Sequence, residues 1–238
     1  KREGLQTSCR FIERCLKRTN PRANIRQSRD EIKETTTTPR KMINLTNEDN
    51  MELMKRYPDN YFELAIVDPP YGIGISSNPV RQQHTKKEWD NNIPNKKYFN
   101  ELFRVSKEQI IWGGNYFDLQ PTQGFFIWDK KQPHDFSLAM CEMAWSSFQK
   151  PAKIWTLSVL KERGKIHPTQ KPVKLYEWLL MNNAKEGDKI LDTHLGSGSI
   201  ALACHNLGFD LTGCELDTEY YEAACKRLKR HQQQLTMF

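Results

Sequence analysis

Short apolar runs alternate with amphipathic segments over most of the chain. The apolar runs that predict buried strands lie at residues 62–67, 109–112, 124–128, 138–145, 189–192 and 210–214. The segments with a helical spacing of apolar positions lie at residues 50–57, 96–105, 172–183, 199–207 and 218–231. Strands that alternate with helices favour a mostly parallel sheet with helices on both faces. The pattern therefore predicts a Rossmann-like α/β fold.

Two stretches interrupt this alternation. Residues 35–39, four threonines followed by a proline, are of low complexity and place a boundary near residue 41. Residues 73–95 are polar with few apolar positions, which predicts a long loop, and a loop of that length is usually functional or mobile. We therefore divide the chain into an N-terminal extension, residues 1–41, and one α/β domain, residues 42–238.

Charge distinguishes the extension from the domain. The chain has a formal net charge of +7, and residues 1–41 alone hold twelve Lys or Arg against five acidic residues. The rest of the chain is therefore balanced. A basic extension, disordered or helical, is suited to sequence-independent contacts with nucleic-acid phosphates. The alternative is a solvated arm that contacts nothing.

Cysteine usage and hydropathy exclude several classes of protein. The six cysteines include no C-x-x-C pair, which predicts reduced thiols, a cytoplasmic location and no metal site. The longest apolar run falls well short of the ~20 residues that cross a bilayer, so we expect no membrane contact.

A glycine-bearing turn joins a predicted strand to a predicted helix at Gly196 and Gly198. Asp192 ends that strand, and the next strand ends at Glu215, where a carboxylate can accept the hydroxyls of a ribose. The glycines also fit the dinucleotide fingerprint G-x-G-x-x-A, which is the alternative interpretation. However, the first glycine follows the strand by four residues, and Asp192 would repel a diphosphate. The turn therefore favours S-adenosylmethionine as the cofactor.

The sequence Asp68-Pro69-Pro70-Tyr71 follows the strand at residues 62–67. Its residue types suit methylation of an exocyclic amine, whose lone pair is conjugated with the ring and is a poor nucleophile. Asp68 and the Pro69 carbonyl can each accept one N–H, while the prolines fix the backbone. Tyr71 offers an aromatic face to a base taken out of the duplex. The alternative is a turn stiffened by proline.

A third motif, His167-Pro168-Thr169-Gln170-Lys171-Pro172, precedes the predicted helix at residues 172–183. Thr169 and Lys171 can bind a carboxylate by hydrogen bond and charge. A helix cap bounded by proline, with a solvated lysine, is the alternative for this motif alone.

These motifs, in this order, resemble the beta group of DNA amino-methyltransferases, in which the catalytic motif precedes the cofactor motif. The resemblance covers about residues 43–230, and residues 110–117 further resemble phage and prophage members. It implies a seven-stranded sheet with one reversed strand, a catalytic half at residues 42–160 and a cofactor half at residues 165–238. It implies catalysis by Asp68, Pro69, Pro70 and Tyr71. The cofactor residues expected are Asp68, His167, Thr169, Lys171, Asp192, Leu195, Gly196, Ser197, Gly198, Glu215 and Leu216.

The resemblance leaves three alternatives for the reaction. Members that act on cytosine N4 usually carry Ser in place of Asp68, so adenine N6 is favoured here. Amine methyltransferases of ribosomal RNA or of protein glutamine place a similar motif after the glycine turn, and the order in this chain argues against them. A non-catalytic DNA-binding subunit would be expected to have lost Asp68, Tyr71 or Gly196, and all three are present.

DNA is the expected partner. The loop at residues 73–95 carries Arg81, His84, Lys86 and Lys87, which we expect to contact phosphates, the alternative being a surface loop without DNA contact. Only about twenty residues separate the strand at 138–145 from His167, where related enzymes usually hold a target-recognition segment. We therefore expect a homodimer or a DNA-reading partner, and a location on the nucleoid if the protein is bacterial or phage-encoded.

Overall fold

The computed structural model describes residues 42–74, 90–135, 139–158 and 165–235. The strands are β1 (Ile43–Asn47), β2 (Phe62–Val67), β3 (Ser106–Trp112), β4 (Phe125–Asp129), β5 (Cys141–Ser146), β6 (Lys153–Thr156), β7 (Lys189–Asp192) and β8 (Asp210–Glu215). The helices are α1 (Asn50–Lys55), α2 (Lys96–Val105), α3 (Val173–Asn183), α4 (Ser199–Leu207) and α5 (Thr218–Leu235). A 3-10 turn at Gly114–Tyr116 follows β3.

One mixed sheet contains all of these strands, in the order β1-β8-β7-β2-β3-β5-β4-β6. Only β5 runs against its neighbours β3 and β4, and every other pairing is parallel. The mostly parallel α/β sheet with one reversed strand is therefore confirmed. The expected number of seven strands is wrong, because Lys153–Thr156 adds an eighth strand beside β4.

Helices cover both faces of the sheet, as the alternation of strands and helices predicts. Leu64 and Ile66 of β2 pack in one core with helices α3, α4 and α5. Ala65 and Val67, which point the other way, pack in a second core with α1 and α2. Because β2 is buried on both faces, its residues from Leu64 to Val67 are all apolar.

The order of the strands brings distant parts of the chain to one edge. In the centre of the sheet, β2 lies between β7 and β3, and β8 lies between β7 and β1. The carboxyl ends of β2, β7 and β8 therefore meet at one edge, where loops of parallel sheets bind ligands. Within the described ranges, no helix is long and apolar enough to cross a membrane.

Candidate active site

A cleft of about 230 Å³ opens at the carboxyl ends of β1, β2, β7 and β8. Its lining combines polar, charged and aromatic side chains with the backbone of the glycine turn. The lining residues are Glu48, Asp49, Asn50, Asp68, Pro70, His167, Thr169, Gln170, Lys171, Tyr176, Thr193, His194, Leu195, Gly196, Ser197, Glu215, Leu216 and Tyr220.

The glycine turn after β7 is held by backbone conformations that favour glycine. Gly196 has a φ of +51° and Gly198 a φ of +69°. A Cβ on Gly198 would lie 3.0 Å from the Cβ of Ala224 on α5, so the close approach of helix and turn also requires glycine. Gly198 is the residue before α4, and it does not line the cleft.

Glu215 fastens this turn to the end of β8. Its Oε2 accepts a hydrogen bond from the Gly196 N–H at 2.8 Å, and its Oε1 accepts one from the Asp217 N–H at 3.0 Å. Burial raises the pKa of Glu215, and these backbone N–H groups oppose the rise. Each oxygen keeps lone-pair capacity for a hydroxyl of a bound ligand.

Asp192 lies below the cleft rather than on its surface. It is 2% exposed, and its Oδ1 accepts the His194 N–H at 3.0 Å. Burial raises its pKa to about 8. The neighbouring His194 does line the cleft, and burial lowers the pKa of its ring to about 3, so the ring is neutral. It contacts Asn50 Nδ2 through Nε2 at 3.1 Å.

The motif at residues 167–172 forms one wall of the cleft. The His167 ring packs edge-on against Tyr220, with centroids 4.3 Å apart. The Thr169 hydroxyl lies 3.1 Å from His167 Nδ1. The Lys171 carbonyl accepts a 2.7 Å hydrogen bond from the Ser199 hydroxyl, so α4 fixes the backbone at Lys171.

Asp68 and Tyr71 are hydrogen-bonded to each other at the end of β2. The Tyr71 hydroxyl donates to Asp68 Oδ1 at 2.6 Å. The backbone of this segment is anchored by Asp90, whose Oδ1 accepts the N–H groups of Tyr71 and Gly72 at 2.8 and 3.0 Å. The carboxylate of Asp68 is thereby held at the floor of the cleft.

The Tyr71 ring belongs to an aromatic cluster formed by the turn after β3. Tyr116 stacks on it, with ring centroids 5.0 Å apart and planes 12° apart, and Phe117 meets its edge at 6.2 Å. Tyr116 is 43% exposed, so its ring faces the solvent as well. Gly113, at φ +70°, allows the approach, since a Cβ there would lie 2.2 Å from Tyr71 Cε1.

Asp68 is the first of four charged groups that alternate in sign, followed by Lys171, Glu142 and Lys130. The Lys171 Nζ lies 2.5 Å from Asp68 Oδ2 and 3.0 Å from Glu142 Oε2, and Lys130 Nζ lies 2.5 Å from Glu142 Oε1. Burial alone would raise the pKa of Glu142, but the ammonium groups of Lys171 and Lys130 outweigh it and lower the pKa to about 2. Burial raises the pKa of Asp68, and Lys171 opposes that rise.

Most of the expected site residues come together in the cleft. Asp68, Pro70 and the cofactor residues line it, except Asp192 below it and Gly198 at the helix start. Pro69 and Tyr71 stand behind the lining. The expected DNA contacts Arg81, His84, Lys86 and Lys87 fall in residues 75–89, outside the described ranges.

Several residues of the site were not predicted. Glu48, Asp49 and Asn50 reach the cleft because β1 pairs with β8. Glu142 comes near Asp68 through the pairing of β5 with β3, and Lys171 Nζ binds both carboxylates. An acid inside a predicted strand was the available signal for Glu142, since charges there are rarely left without a partner.

The Rossmann-like fold and the cleft resemble those of known proteins, and comparisons show which proteins the chain is similar to. Residues 125–226 match the family model described as N6/N4 DNA methylase. The matched residues make up less than half of the chain, so the similarity to these DNA methylases is carried mainly by its second half.

Individual relatives are distant. The chain is 23% identical to type II methyltransferase M.HpaI of Haemophilus parainfluenzae, over 75% of this chain and 71% of that protein. It is 30% identical to type II methyltransferase M2.DpnII of Streptococcus pneumoniae over 59% of this chain, and this match spans only 49% of that protein. A solved structure, the complex of M1.HpyAVI with S-adenosylmethionine, shares the fold with a TM-score of 0.56 and 23% identity, over 79% of this chain and all of that one.

Proposed function

We propose that this chain transfers a methyl group from S-adenosylmethionine to the exocyclic amine of a DNA base, with adenine N6 the preferred target. The observation that carries the proposal is the position of Asp68. Its carboxylate lies at the floor of the same cleft that the glycine turn and Glu215 line. One cavity therefore contains both Asp68, which can accept an amine N–H, and the residues that suit a nucleoside cofactor.

Asp68 is suited to activate an amine. An ionised carboxylate accepts hydrogen bonds and donates none, so it binds the N–H of an amine and turns the lone pair out of the ring plane. Tyr71 and Lys171 hold one oxygen each. Each oxygen retains a lone pair for the substrate, and the Pro69 carbonyl is the second acceptor in the proposal. Preorganised acceptors of this kind need no rearrangement during the reaction.

The cofactor half of the cleft fits S-adenosylmethionine chemically. In the proposal Glu215 binds the ribose hydroxyls, and the backbone at Gly196 allows a close approach, since a Cβ there would point toward His167 at 3.8 Å. Thr169 and His167 lie where an amino-acid end can be bound by polar groups. When bound, the cofactor supplies a methyl group on a positively charged sulfur, and the acidic lining at Glu48, Asp49 and Glu215 suits such a cation.

The aromatic cluster is suited to hold a flipped base. Tyr116 presents an exposed ring that is parallel to Tyr71. Stacking of a base on such a ring contributes about 1–3 kcal/mol, which offsets much of the few kcal/mol that flipping costs. We assign to Tyr116 and Tyr71 the binding of the base plane, and to Asp68 the binding of its amine.

Nucleoside analysis tests the reaction and the base together. The chain is incubated with unmethylated DNA and S-adenosylmethionine carrying a labelled methyl group, and the digested nucleosides are separated by mass spectrometry. We expect labelled N6-methyldeoxyadenosine, and no label with Asp68→Asn, which keeps the shape but loses the charge. Labelled N4-methyldeoxycytidine would instead establish the second candidate, the cytosine-N4 enzyme. Binding of both DNA and cofactor without transfer would establish a non-catalytic subunit and refute the proposal.

The proposal includes a partner for DNA recognition. In the described chain between β5 and α3, the one regular element is the four-residue strand β6. We propose that a second copy or a DNA-reading protein completes the interface, together with the basic extension and the four loop residues at 81–87. Light scattering tests this proposal. A monomer that methylates at full rate, and loses that activity when residues 1–41 are removed, would contradict the dimer.

A further inference from the structure

We propose that Lys171, held from behind by Glu142, is a positioning residue that keeps the Asp68 carboxylate oriented and negatively charged toward the target amine. This inference rests on the proposed function and adds to it two residues that act through Asp68. It also replaces the expectation that Lys171 binds the carboxylate of the cofactor.

Geometry supports this role because the Lys171 ammonium is already occupied. Its side chain is 2% exposed, and Nζ is bound by Asp68 Oδ2 and Glu142 Oε2. It also lies 3.3 Å from the Tyr71 hydroxyl and 5.0 Å from the centre of the Trp112 ring. An ammonium donates three hydrogen bonds, and these oxygens use them. A ligand carboxylate would have to displace one of these partners.

The position of Lys171 is fixed from three directions. Pro172 follows it and restricts its backbone, and the Ser199 hydroxyl binds its carbonyl. On the side of β5, Glu142 Oε2 binds the Lys171 ammonium at 3.0 Å. Lys130, only 10% exposed, pairs with Glu142 on the far side. Two cations and two carboxylates thus balance in a buried site, where a single charge would be costly.

The charge of Asp68 depends on this arrangement because burial and the negative charge of Glu142 on β5 oppose its ionisation. Asp192 at the end of β7 is a further acid that interacts with it. Of the titratable hydroxyls that face it, Tyr71 donates a hydrogen bond that favours the ionised form, and Tyr176 lies on α3. Lys171 is the cation in contact with Asp68. Without that cation, burial would favour the protonated carboxyl, which is a poorer acceptor for an amine N–H.

The test compares the pH dependence of methyl transfer in matched variants. Lys171→Met removes the charge at similar length, and we expect the acidic limb of kcat to move up by about 1–3 pH units, the usual effect of an opposite charge at this distance. The limb moves up because ionised Asp68 is the active form. When the pKa of Asp68 rises, the carboxyl becomes protonated, and activity is lost, at a higher pH. Glu142→Gln removes a negative neighbour, and we expect the limb to move the opposite way.

A double variant and a control protect this comparison from effects on folding. Lys171→Met with Glu142→Gln removes one charge of each sign, so the cluster stays neutral, and its acidic limb should still lie above that of the wild type. Lys107→Met breaks an exposed pair with Glu63 at the other end of the sheet and should leave the profile unchanged. Calorimetry should show the same cofactor Kd for the wild type and the Lys171 variants.

Direct titration separates this inference from the proposed function. The Asp68 carboxyl is followed by 13C NMR without substrate, its signal being assigned by its loss in Asp68→Asn. A higher Asp68 pKa in the Lys171 variants supports the role even if no DNA base is methylated. An unchanged pKa and an unchanged acidic limb would overturn it. Loss of cofactor affinity at an unchanged pKa would return Lys171 to the cofactor site.

Discussion

Gly113→Ala should uncouple Tyr71 from Asp68. A Cβ at this position would lie 2.2 Å from Tyr71 Cε1, 2.5 Å from Cδ1 and 2.7 Å from Cζ. Ordinary contact begins at 3.4 Å, so the ring or the turn must shift by about 1.2 Å. A shift of that size can break the 2.6 Å hydrogen bond between Tyr71 and Asp68 and disturb the stack on Tyr116.

The expected loss of stability in Gly113→Ala has two causes, backbone strain and overpacking. Alanine in the left-handed region costs about 1–2 kcal/mol, and overpacking costs about 1–3 kcal/mol, so we expect about 2–5 kcal/mol of lost unfolding free energy. A misplacement of about 1 Å in an active site lowers the rate by about 100-fold. We therefore expect kcat to fall by about 100-fold with an unchanged cofactor Kd, since neither Gly113 nor Tyr71 lines the cleft.

Gly187→Ala provides the matched control. Gly187 has a φ of +90°, but an added Cβ there meets nothing within 4 Å. It carries the backbone strain without the contact, so it should lose about 1–2 kcal/mol in urea unfolding and keep full methyl transfer. If Gly113→Ala transferred methyl groups as fast as Gly187→Ala, Tyr71 would not depend on Gly113 for its position, and the reasoning would fail.

Three further predictions follow from the site. Glu215→Gln should raise the cofactor Kd, measured by calorimetry, by about tenfold or more, since removal of a charged hydrogen-bond partner costs about 1.5–3 kcal/mol. A Kd equal to that of the wild type would exclude the binding of the ribose by Glu215. Tyr116→Leu should raise the KM for DNA and lower the fluorescence change of 2-aminopurine at the target position. Tyr116→Phe, which keeps the ring, should behave as the wild type. If the two variants were equally impaired, the hydroxyl and not the ring would be the group that binds the base. The pKa of Asp192, about 8 in the fold against an ordinary value of 3.8, means that the folded state binds its proton more tightly. Its contribution to stability is therefore present below about pH 4 and is lost as the pH rises toward 8. The unfolding free energy of Asp192→Asn should consequently fall less steeply with pH over that range than that of the wild type. Identical slopes of unfolding free energy against pH would contradict a buried, protonated Asp192.

The sequence predicted the parts of the fold whose signal is local. Helix α2 begins and ends where the apolar spacing places it, and β2 and β7 are centred on short apolar runs, Leu64 to Val67 and Ile190 to Leu191. Strands β1 and β6 were not predicted, because Ile43–Asn47 is half polar and Lys153–Thr156 has only four residues. Both are strands through their partners, β8 and β4, and such pairing is invisible in a local pattern.

The same distinction holds for the site. Asp68 follows β2 directly, Glu215 ends β8 and Gly196 lies in the turn after β7, so a sequence that predicts the strands also places these residues at the ligand edge. Glu142 and Asp90 act on Asp68 and Tyr71 through contacts between segments that are distant along the chain. Charge and hydrogen-bonding capacity suggested a ligand carboxylate for Lys171, and they do not reveal that Asp68 and Glu142 of the protein bind its ammonium group.

The strand order also determines how the polypeptide can be divided. Strands β7 and β8, from the second half of the chain, stand between β1 and β2 from the first half. A cut between Ser158 and Lys165 would therefore leave β2-β3-β5-β4-β6 and an unpaired β1 in one fragment and only the pair β8-β7 in the other, and each fragment would expose strand edges that the other pairs. Such fragments are suited to complementation. If each were fused to one of two interacting proteins, methyl transfer to DNA would occur only where those proteins bind each other, and the methylated bases would persist after the complex dissociates.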